Sequence, residues 1–147
     1  MGDSRRFQVF AEFIKRNYKP CKVADVAGGK GILSWELQNR GYKPTVIDPR
    51  IRYGIKRYDT IKKLYKQEYA KDFDLIVGMH PDSATEDIIE SAIKYNRKFA
   101  IVPCCSHSKE DRKFDYKHWI EHLKRLADYN VKITSLDIKG RNLVIFN

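Results

Sequence analysis

The stretch that decides the fold is Val23-Ala24-Asp25-Val26-Ala27-Gly28-Gly29-Lys30-Gly31. Its apolar start predicts a short buried strand, and its glycines let the backbone turn tightly before the helix-like segment that follows. Thr45-Val46-Ile47-Asp48 comes at the distance where a second strand would place another acid beside the first. Together the two segments predict a pocket for a nucleoside-containing cofactor.

Strands alternate with helices along most of the chain, which predicts a mostly parallel sheet. We expect strands at 22–27, 43–47, 73–79 and 99–104, and helices at 7–18, 32–39, 85–95 and 116–129. The lysine- and tyrosine-rich segment 53–69 has helical spacing as well, with a short strand near its start as the alternative. The first helix, placed at about 5–18, is expected to cover one edge of the sheet.

The last part of the chain breaks this alternation. Runs 131–138 and 142–146 are strand-like and are joined by Lys139-Gly140-Arg141, a pattern typical of an antiparallel hairpin. The fold class predicted is therefore α/β, a three-layer α-β-α sandwich with a mostly parallel, doubly wound sheet that ends in an antiparallel β-hairpin. We predict one domain over residues 1–147.

Composition narrows the class of protein. No run approaches the roughly 20 apolar residues of a membrane span, and the start has no signal-peptide character, so a cytoplasmic protein without membrane contact is expected. The cysteines are Cys21, Cys104 and Cys105, an odd number that argues for reduced thiols. The net charge of +10 favours a polyanionic partner such as RNA, with a lysine-rich solvated surface as the alternative.

The glycine turn and the second acid suit a nucleoside ligand. Gly28, Gly29 and Gly31 allow close approach of the backbone to a ligand, and Asp48 could accept both hydrogen bonds of a ribose diol. A ligand-free connection and a turn-forming aspartate are the alternatives. The absence of a following Gly-Lys-Ser/Thr argues against a phosphate-binding P-loop. Strict dinucleotide spacing is also absent, because Ser34 occupies the third glycine position.

With these motifs the chain resembles the class I S-adenosylmethionine-dependent methyltransferases, which have an acid and alternate glycines after the first strand, an acid ending the second, and a reversed last strand. The resemblance covers 22–147 in element order. It implies a Rossmann-like methyltransferase fold and S-adenosyl-L-methionine as cofactor. The cofactor-binding residues it implies are Asp25, Ala27, Gly28, Gly29, Gly31, Asp48 and Met79. Ala27 departs from the family, which usually has glycine there.

Two later turns resemble a subgroup of that family with a Gly-Leu-His-type turn and a Pro-Cys-Cys turn, some members of which are assigned to RNA and others to protein substrates. Here they are Gly78-Met79-His80-Pro81-Asp82 and Val102-Pro103-Cys104-Cys105-Ser106-His107. The resemblance places methyl transfer beside the first turn, so His80 and Asp82 are the catalytic candidates. A capped turn before the helix at Thr85 is the alternative, with Asp82 or Ser83 as the cap.

The remaining candidate residues are those that could bind the substrate or a metal ion. Substrate-binding candidates are Pro103, Cys104, Cys105, His107 and Arg50. A metal site formed by the cysteines and histidines of these turns is the alternative, but the paired CxxC spacing of zinc sites is missing, so no metal is predicted. His118 and His122 are expected to be surface histidines, because their order with Glu121 is not His-Glu-x-x-His.

The function predicted is methyl transfer from S-adenosyl-L-methionine to a macromolecule, with RNA (tRNA or rRNA) favoured over ribosomal or other protein. The alternatives are a protein methyltransferase, a non-catalytic module that binds S-adenosylmethionine or RNA, and a nicotinamide-dependent oxidoreductase. A domain this short is also expected to use a partner protein or a second copy of itself to hold a large substrate.

Overall fold

A seven-stranded sheet organises the part of the chain that the computed structural model describes, residues 2–51, 57–104, 108–109 and 113–147. The helices are α1 (Arg6–Asn17), α2 (Ile32–Gln38), α3 (Thr85–Lys94) and α4 (Tyr116–Leu126). The strands are β1 (Lys22–Val26), β2 (Lys43–Ile47), β3 (Asp59–Ile61), β4 (Leu75–Met79), β5 (Lys98–Val102), β6 (Lys132–Ser135) and β7 (Leu143–Phe146). Two short 3-10 helices lie at Gln67–Asp72 and Asp82–Ala84.

The strand order is β3-β2-β1-β4-β5-β7-β6. Strands β1 to β5 pair in parallel, and β7 runs antiparallel to both β5 and β6. The chain grows outward from β1 to β3 and then returns to place β4 on the other side of β1. The switch point, where open α/β sheets bind ligands, therefore lies between β1 and β4.

Helices cover both faces of the sheet. On one face α1 and α2 pack against strand residues such as Val23 and Val77 through Phe10, Ile14 and Leu37. On the other face α3 and α4 pack against a second set that includes Ala24, Ile76, Ile88, Ile89 and Trp119. Alternate residues of each strand point to opposite faces, so every central strand is buried on both sides. The predicted three-layer α/β sandwich with a terminal antiparallel hairpin is confirmed.

The position of α1 corrects one expectation. Instead of covering an edge, α1 lies on a face of the sheet, where Phe13 makes an edge-to-face contact with Phe146 of β7 at 4.9 Å between ring centroids. Phe10, Phe13 and Ile14 are all buried, so the apolar stripe of the helix is fully used in this packing.

The helix expected over 53–69 is also wrong for the residues described there. Residues 52–56 lie outside the described residues. Residues Asp59–Ile61 form β3, which pairs in parallel with β2 from Thr45 opposite Asp59, and the 3-10 helix begins at Gln67. The aromatic spacing that suggested a helix instead places Tyr65 against α3, where its hydroxyl lies 2.6 Å from Ser91 Oγ.

No helix in the described part of the chain is long and apolar enough to cross a bilayer.

Candidate functional site

The buried side chain of Asp25 packs against the glycine turn. It lies in β1, is 1% exposed, and accepts a hydrogen bond of 2.8 Å from Ser34 Oγ at the start of α2. Burial raises the pKa of this carboxyl to about 7. A Cβ atom at Gly28 would come within 2.7 Å of the Asp25 carboxyl, so only glycine fits at that position. Asp25 and Gly28 therefore act as one structural unit under the turn.

The turn itself uses left-handed backbone at three positions. The φ angles are +56° at Ala27, +55° at Gly29 and +76° at Gly31. Ala27, where the family usually has glycine, is the only one of these three positions that carries a side chain, and an L-residue in this conformation costs about 1 to 2 kcal/mol. Tyr58 packs over the end of the turn and donates a hydrogen bond of 2.8 Å to the carbonyl of Gly31. Side-chain atoms of Tyr58 occupy the space that a Cβ at Gly31 would need.

Asp48 closes the turn from the end of β2. It is fully buried, and its Oδ2 accepts a hydrogen bond of 2.9 Å from the backbone N–H of Gly29. Its Oδ1 accepts one of 2.7 Å from the backbone N–H of Arg50, with the Arg50 Nε at 3.3 Å. The structure therefore joins the two segments that the sequence singled out. It places Arg50, a substrate-binding candidate, against the cofactor-side acid.

A cavity of about 180 Å³ opens at the switch point, lined by the ends of β1 and β2 and by the turn after β4. Ala27, Asp48 and Asp82 are among its lining residues. This volume is below the roughly 300 Å³ at which ligand pockets usually begin, so the cavity as it stands accommodates a part of a nucleoside cofactor. A larger groove of about 770 Å³ between α1 and β6 contains none of the predicted site residues.

His80 follows β4 at the border of this site. Its φ is +54°, and its backbone N–H donates to the carbonyl of Val102 at 2.9 Å. The ring Nε2 lies 3.2 Å from the backbone carbonyl of Arg141 in the β6–β7 turn. Because a carbonyl can only accept, Nε2 carries a hydrogen, and in the neutral ring Nδ1 keeps a free lone pair.

The pKa of His80 is consistent with a neutral ring. Burial is the main cause that lowers its pKa, and the positive charge of Arg6 lowers it further. The hydrogen bond to Arg141 and the charge of Asp82 act in the opposite direction but are outweighed. His80 is therefore neutral at pH 7 and can accept a proton at Nδ1.

The turns after β4 and β5 are joined by Asp82 and Cys104. The thiol of Cys104 donates to Asp82 Oδ1 at 3.3 Å, and Pro103 is buried beside it. The side chain of Asp82 does not cap α3, because the N-cap residue is Ala84 and no side chain caps the helix. The backbone carbonyl of Asp82 instead accepts a hydrogen bond of 2.8 Å from Thr85 Oγ1. The capped-turn alternative is wrong for both Asp82 and Ser83.

One predicted cofactor-binding residue, Met79, lies in the core instead of at the cavity. The side chain of Met79 is 7% exposed and packs in the core on the α1 and α2 face of the sheet. Cys105 and His107 lie outside the described residues. Within the described ranges, no group of three or more His, Cys, Asp or Glu side chains could hold a metal ion.

Sequence reasoning missed a contact between the β6–β7 turn and α4. The guanidinium of Arg141 lies 3.8 Å from the ring centroid of Tyr116, the first residue of α4. The Tyr116 hydroxyl is buried and has no hydrogen-bond partner among the described residues. No local pattern signals this pair, because the two residues come together only through the packing of the hairpin against α4.

The expectation for His122 is wrong. Its Nε2 lies 2.9 Å from a carboxylate oxygen of the buried Glu86, and its ring stacks on Phe114 at 4.9 Å between centroids. His118 is exposed as expected, with Nδ1 2.6 Å from the Asp115 carboxylate.

No family model matches the chain. A Caenorhabditis elegans protein described as a probable tRNA (uracil-O(2)-)-methyltransferase is 32% identical over 101 residues, which cover 59% of this chain and 18% of the relative. The chain thus spans about a fifth of the length of this curated relative.

Solved structures resemble almost the whole chain. The Burkholderia thailandensis 1,6-didemethyltoxoflavin-N1-methyltransferase, crystallised with S-adenosylhomocysteine, has a TM-score of 0.61 at 15% identity, covering 97% of this chain and 78% of its own. The ribosomal protein L11 methylase of Lactobacillus delbrueckii subsp. bulgaricus has a TM-score of 0.57 at 20% identity, covering 97% and 77%. The chain has the Rossmann-like fold of S-adenosylmethionine-dependent methyltransferases.

Proposed function

We propose that this chain is an S-adenosyl-L-methionine-dependent methyltransferase whose acceptor is RNA, either tRNA or rRNA. The observation that carries the proposal is the contact between Asp48 and Gly29 at the switch point of a methyltransferase fold. This contact brings a ribose-binding acid and a glycine turn to the edge of one cavity. A nucleoside cofactor needs both features in one place.

On the cofactor side, Asp48 binds the ribose diol with the acceptor capacity that remains on its carboxylate. The turn from Ala27 to Gly31 lets the cofactor approach the backbone closely. Asp25 packs under the turn, and because burial raises its pKa to about 7, about half of its carboxyl groups are neutral at pH 7. The positive charge of Arg50, whose Nε lies 3.3 Å from Asp48 Oδ1, stabilises the ionised form of the carboxylate.

On the acceptor side, His80 and Asp82 position the nucleophile. S-adenosyl-L-methionine, when bound, would supply a methyl group carried on a positively charged sulfur, and attack of the acceptor atom on the methyl carbon would release that sulfur, with the electron pair of the broken bond, as a neutral thioether. Such a transfer depends mainly on in-line proximity, so positioning is the first task of the side chains. Where the acceptor is an O–H or N–H group, Nδ1 of His80 takes its proton. Asp82, held by Cys104, keeps the two strand-end turns together.

Two observations support RNA as the acceptor. The chain carries a net charge of +10, which favours binding of polyanions. The Caenorhabditis elegans relative is described as a tRNA methyltransferase. Ribosomal or other protein remains the second candidate acceptor, because one structural neighbour is a ribosomal protein L11 methylase.

A transfer assay tests the proposal. The purified chain is incubated with tritiated S-adenosyl-L-methionine and, separately, with total RNA and total protein from the source cell. We expect label in RNA with the wild type and a loss of at least tenfold with His80→Ala, whereas His118→Ala on the exposed face of α4 transfers normally. Label found only in the protein fraction would mean that protein, and not RNA, is the acceptor.

A binding assay separates the remaining alternatives. We expect S-adenosylhomocysteine to bind and NAD not to bind. Tight binding of NAD without S-adenosylhomocysteine would instead make the chain a nicotinamide-dependent protein. Binding of S-adenosylhomocysteine without any transfer would leave a non-catalytic module.

A further inference from the structure

A basic groove lies at the edge of the sheet opposite the candidate site. Its volume is about 380 Å³, and it is bounded by the end of α1 and by the connection between α2 and β2. Both segments lead into the first residues of parallel strands, Lys22 of β1 and Lys43 of β2. The glycine turn and Asp48 follow the last residues of the same strands, about 16 Å away at about 3.3 Å per residue over five residues. The basic groove is therefore separate from the candidate site.

The basic groove carries an excess of positive charge. Its lining includes four cations, Lys15, Arg16, Lys19 and Arg40. Arg40 is neutralised, because its guanidinium pairs with Glu12 at 2.7 Å and with Glu36 at 2.6 Å. The other three cations are exposed, and none of them forms an ion pair with any residue that the structure describes. Three positive charges are thus left for a ligand.

Hydrogen bonds fix the walls of the groove, which are formed in part by Tyr18 and Tyr42. The Tyr42 hydroxyl lies 3.2 Å from the backbone carbonyl of Ile14 in α1 and also contacts that of Tyr18. The Tyr18 hydroxyl lies 2.9 Å from the backbone carbonyl of Asn147, the residue after β7. A ligand therefore meets walls that are already formed, which reduces the entropy lost on binding.

Stabilisation of α1 accounts for only part of the positive charge at this edge. Lys15 and Arg16 lie in the last turn of the helix, where cations interact favourably with the helix dipole. Lys19 comes after the end of the helix. Lys22 and Lys43 are also exposed and stand opposite each other at the start of adjacent strands, which have only small dipoles. The positive charge therefore continues along the edge, beyond what the helix requires.

The composition of this edge suits a nucleic acid better than a protein. Among the described residues, no large apolar side chain of segments 15–22 and 39–43 is exposed. Protein interfaces usually have apolar or aromatic side chains at their centre and few lysines. Contacts with a phosphate backbone, in contrast, are made mainly by lysine and arginine.

We propose that the basic groove binds the phosphate backbone of the acceptor RNA at a point remote from the methylated nucleoside. This inference rests on the proposed function and adds a second contact surface for the same substrate. Because the groove lies about 16 Å from Asp48, its cations contribute to the affinity for RNA and take no part in methyl transfer. Contacts to phosphate hold and orient an RNA without reading its sequence.

Two double variants separate the groove from a general effect of charge. Lys15→Ala/Lys19→Ala removes two cations of the groove. The matched control, Lys66→Ala/Lys117→Ala, removes two exposed cations on the other side of the sheet, where Lys66 follows Tyr65 beside α3 and Lys117 lies on α4. A third variant, Lys15→Arg/Lys19→Arg, keeps both charges. The probes are a fluorescein-labelled oligouridylate, the same oligomer with uncharged methylphosphonate linkages, and labelled polyglutamate, each followed by fluorescence anisotropy.

In Lys15→Ala/Lys19→Ala the dissociation constant for oligouridylate should rise about tenfold, because two phosphate contacts are lost. The slope of log K against log salt should fall by about 1.4, which is about 0.7 for each contact with a single strand. The arginine variant and the Lys66→Ala/Lys117→Ala control should bind within about twofold of the wild type, since each keeps the charge of the groove. In methyl transfer to total RNA, the groove variant should show a raised KM for RNA, with kcat and the binding of S-adenosylhomocysteine as in the wild type.

Equal losses in the two alanine variants, with folding checked by circular dichroism, would overturn the proposal, because net charge alone would then explain RNA binding. An equal loss with the methylphosphonate oligomer would overturn it too, as would a lower kcat at unchanged KM. A larger loss with polyglutamate than with oligouridylate would make the groove a site for acidic protein instead. The proposed function fails by a different result, namely a wild type that does not bind S-adenosylhomocysteine or transfer methyl groups. A wild type that methylates RNA while the groove variant binds RNA normally would refute the groove alone.

Discussion

The carboxylate of Asp48 accepts a hydrogen bond of 2.9 Å from the backbone N–H of Gly29, across 19 positions of sequence. The acid at the end of β2 is therefore joined directly to the turn after β1. A ribose diol that binds to Asp48 finds the carboxylate already oriented by Gly29 and by the N–H of Arg50. Much of the ordering that a cofactor requires is already present.

Asp48→Ala should weaken binding of S-adenosylhomocysteine by about 1.5 to 3 kcal/mol, the range for hydrogen bonds to a charged acceptor. Isothermal titration calorimetry measures this loss. Asp74→Ala is the matched control, because Asp74 also accepts a hydrogen bond from a strand N–H, that of Lys22 at 3.1 Å, but at the opposite end of the sheet. Unchanged affinity in Asp48→Ala would make Asp48 a turn residue only.

Gly28→Ala and Gly29→Ala should differ strongly although the residues are adjacent. A Cβ at Gly28 would lie 2.7 Å from the buried Asp25 carboxyl, whereas a Cβ at Gly29 meets no atom within 4 Å. Gly29→Ala should therefore cost only the left-handed backbone strain, about 1 to 2 kcal/mol. Gly28→Ala should cost more, because the overlap must displace Asp25. Urea unfolding at pH 7 gives both free energies, and equal losses would contradict the role assigned to Gly28.

The stability of the protein should depend on pH through Asp25. In the unfolded chain this carboxyl ionises near its ordinary pKa of 3.8, and in the folded protein near 7. Between these values the unfolded state binds fewer protons, so the free energy of unfolding falls as the pH rises and levels off above pH 7. The contribution of this single group reaches about 4 kcal/mol, from about three pKa units.

Asp25→Asn removes this dependence and keeps a side chain of similar shape beside Ser34. Urea unfolding of both proteins at pH 5 and pH 8 should show that the wild type loses more stability over this interval than the variant. Parallel losses in the two proteins would show that Asp25 does not titrate in this range.

The activity should depend on pH through His80. Because burial and the charge of Arg6 lower the pKa of His80, the ring stays neutral to below pH 6.5, its ordinary value. For an acceptor that loses a proton, kcat/KM should therefore fall only at a pH below 6.5. Arg6→Ala should move this fall to a higher pH, since it removes a positive charge that disfavours the protonated ring.

A pH–rate profile of methyl transfer measures both effects, with His118→Ala as the control histidine variant. A profile for Arg6→Ala that coincides with the wild type, at normal maximal rate, would show that the charge of Arg6 does not act on the titrating base.

The central strands could be predicted because their signals are local. Runs such as Leu75–Met79 and Lys98–Val102 are almost continuously apolar, and strands buried on both faces need no other pattern. The Lys139-Gly140-Arg141 turn likewise marks the hairpin through its glycine, which adopts a φ of +85°. In these segments, local composition and tertiary packing require the same conformation.

Segment 53–69 shows the opposite situation. Its aromatic and apolar spacing fits a helix, but three residues, Asp59–Ile61, pair with the open edge of β2 instead. Only the position of β2 in the folded sheet makes that pairing favourable, and a short sequence window carries no information about it.

The site divides in the same way. Asp25, the glycines and Asp48 carry signals in their spacing, whereas the hydrogen bond between the Asp3 carboxylate and the N–H of Lys139 joins residues 136 positions apart. Long-range contacts of this kind leave no trace in local patterns.

The placement of β7 has a consequence for biosynthesis. Of the described strands β7 is the last in the chain, yet it lies inside the sheet between β5 and β6. A ribosome therefore releases β1, β2 and β4, with the cofactor-side turn, well before the strand that completes the sheet. Until β7 is inserted, β5 has an unpaired edge and β6 has no neighbour, which is a condition that favours aggregation. The turn that carries Arg141 is thus synthesised after all the other described strands of the sheet except β7.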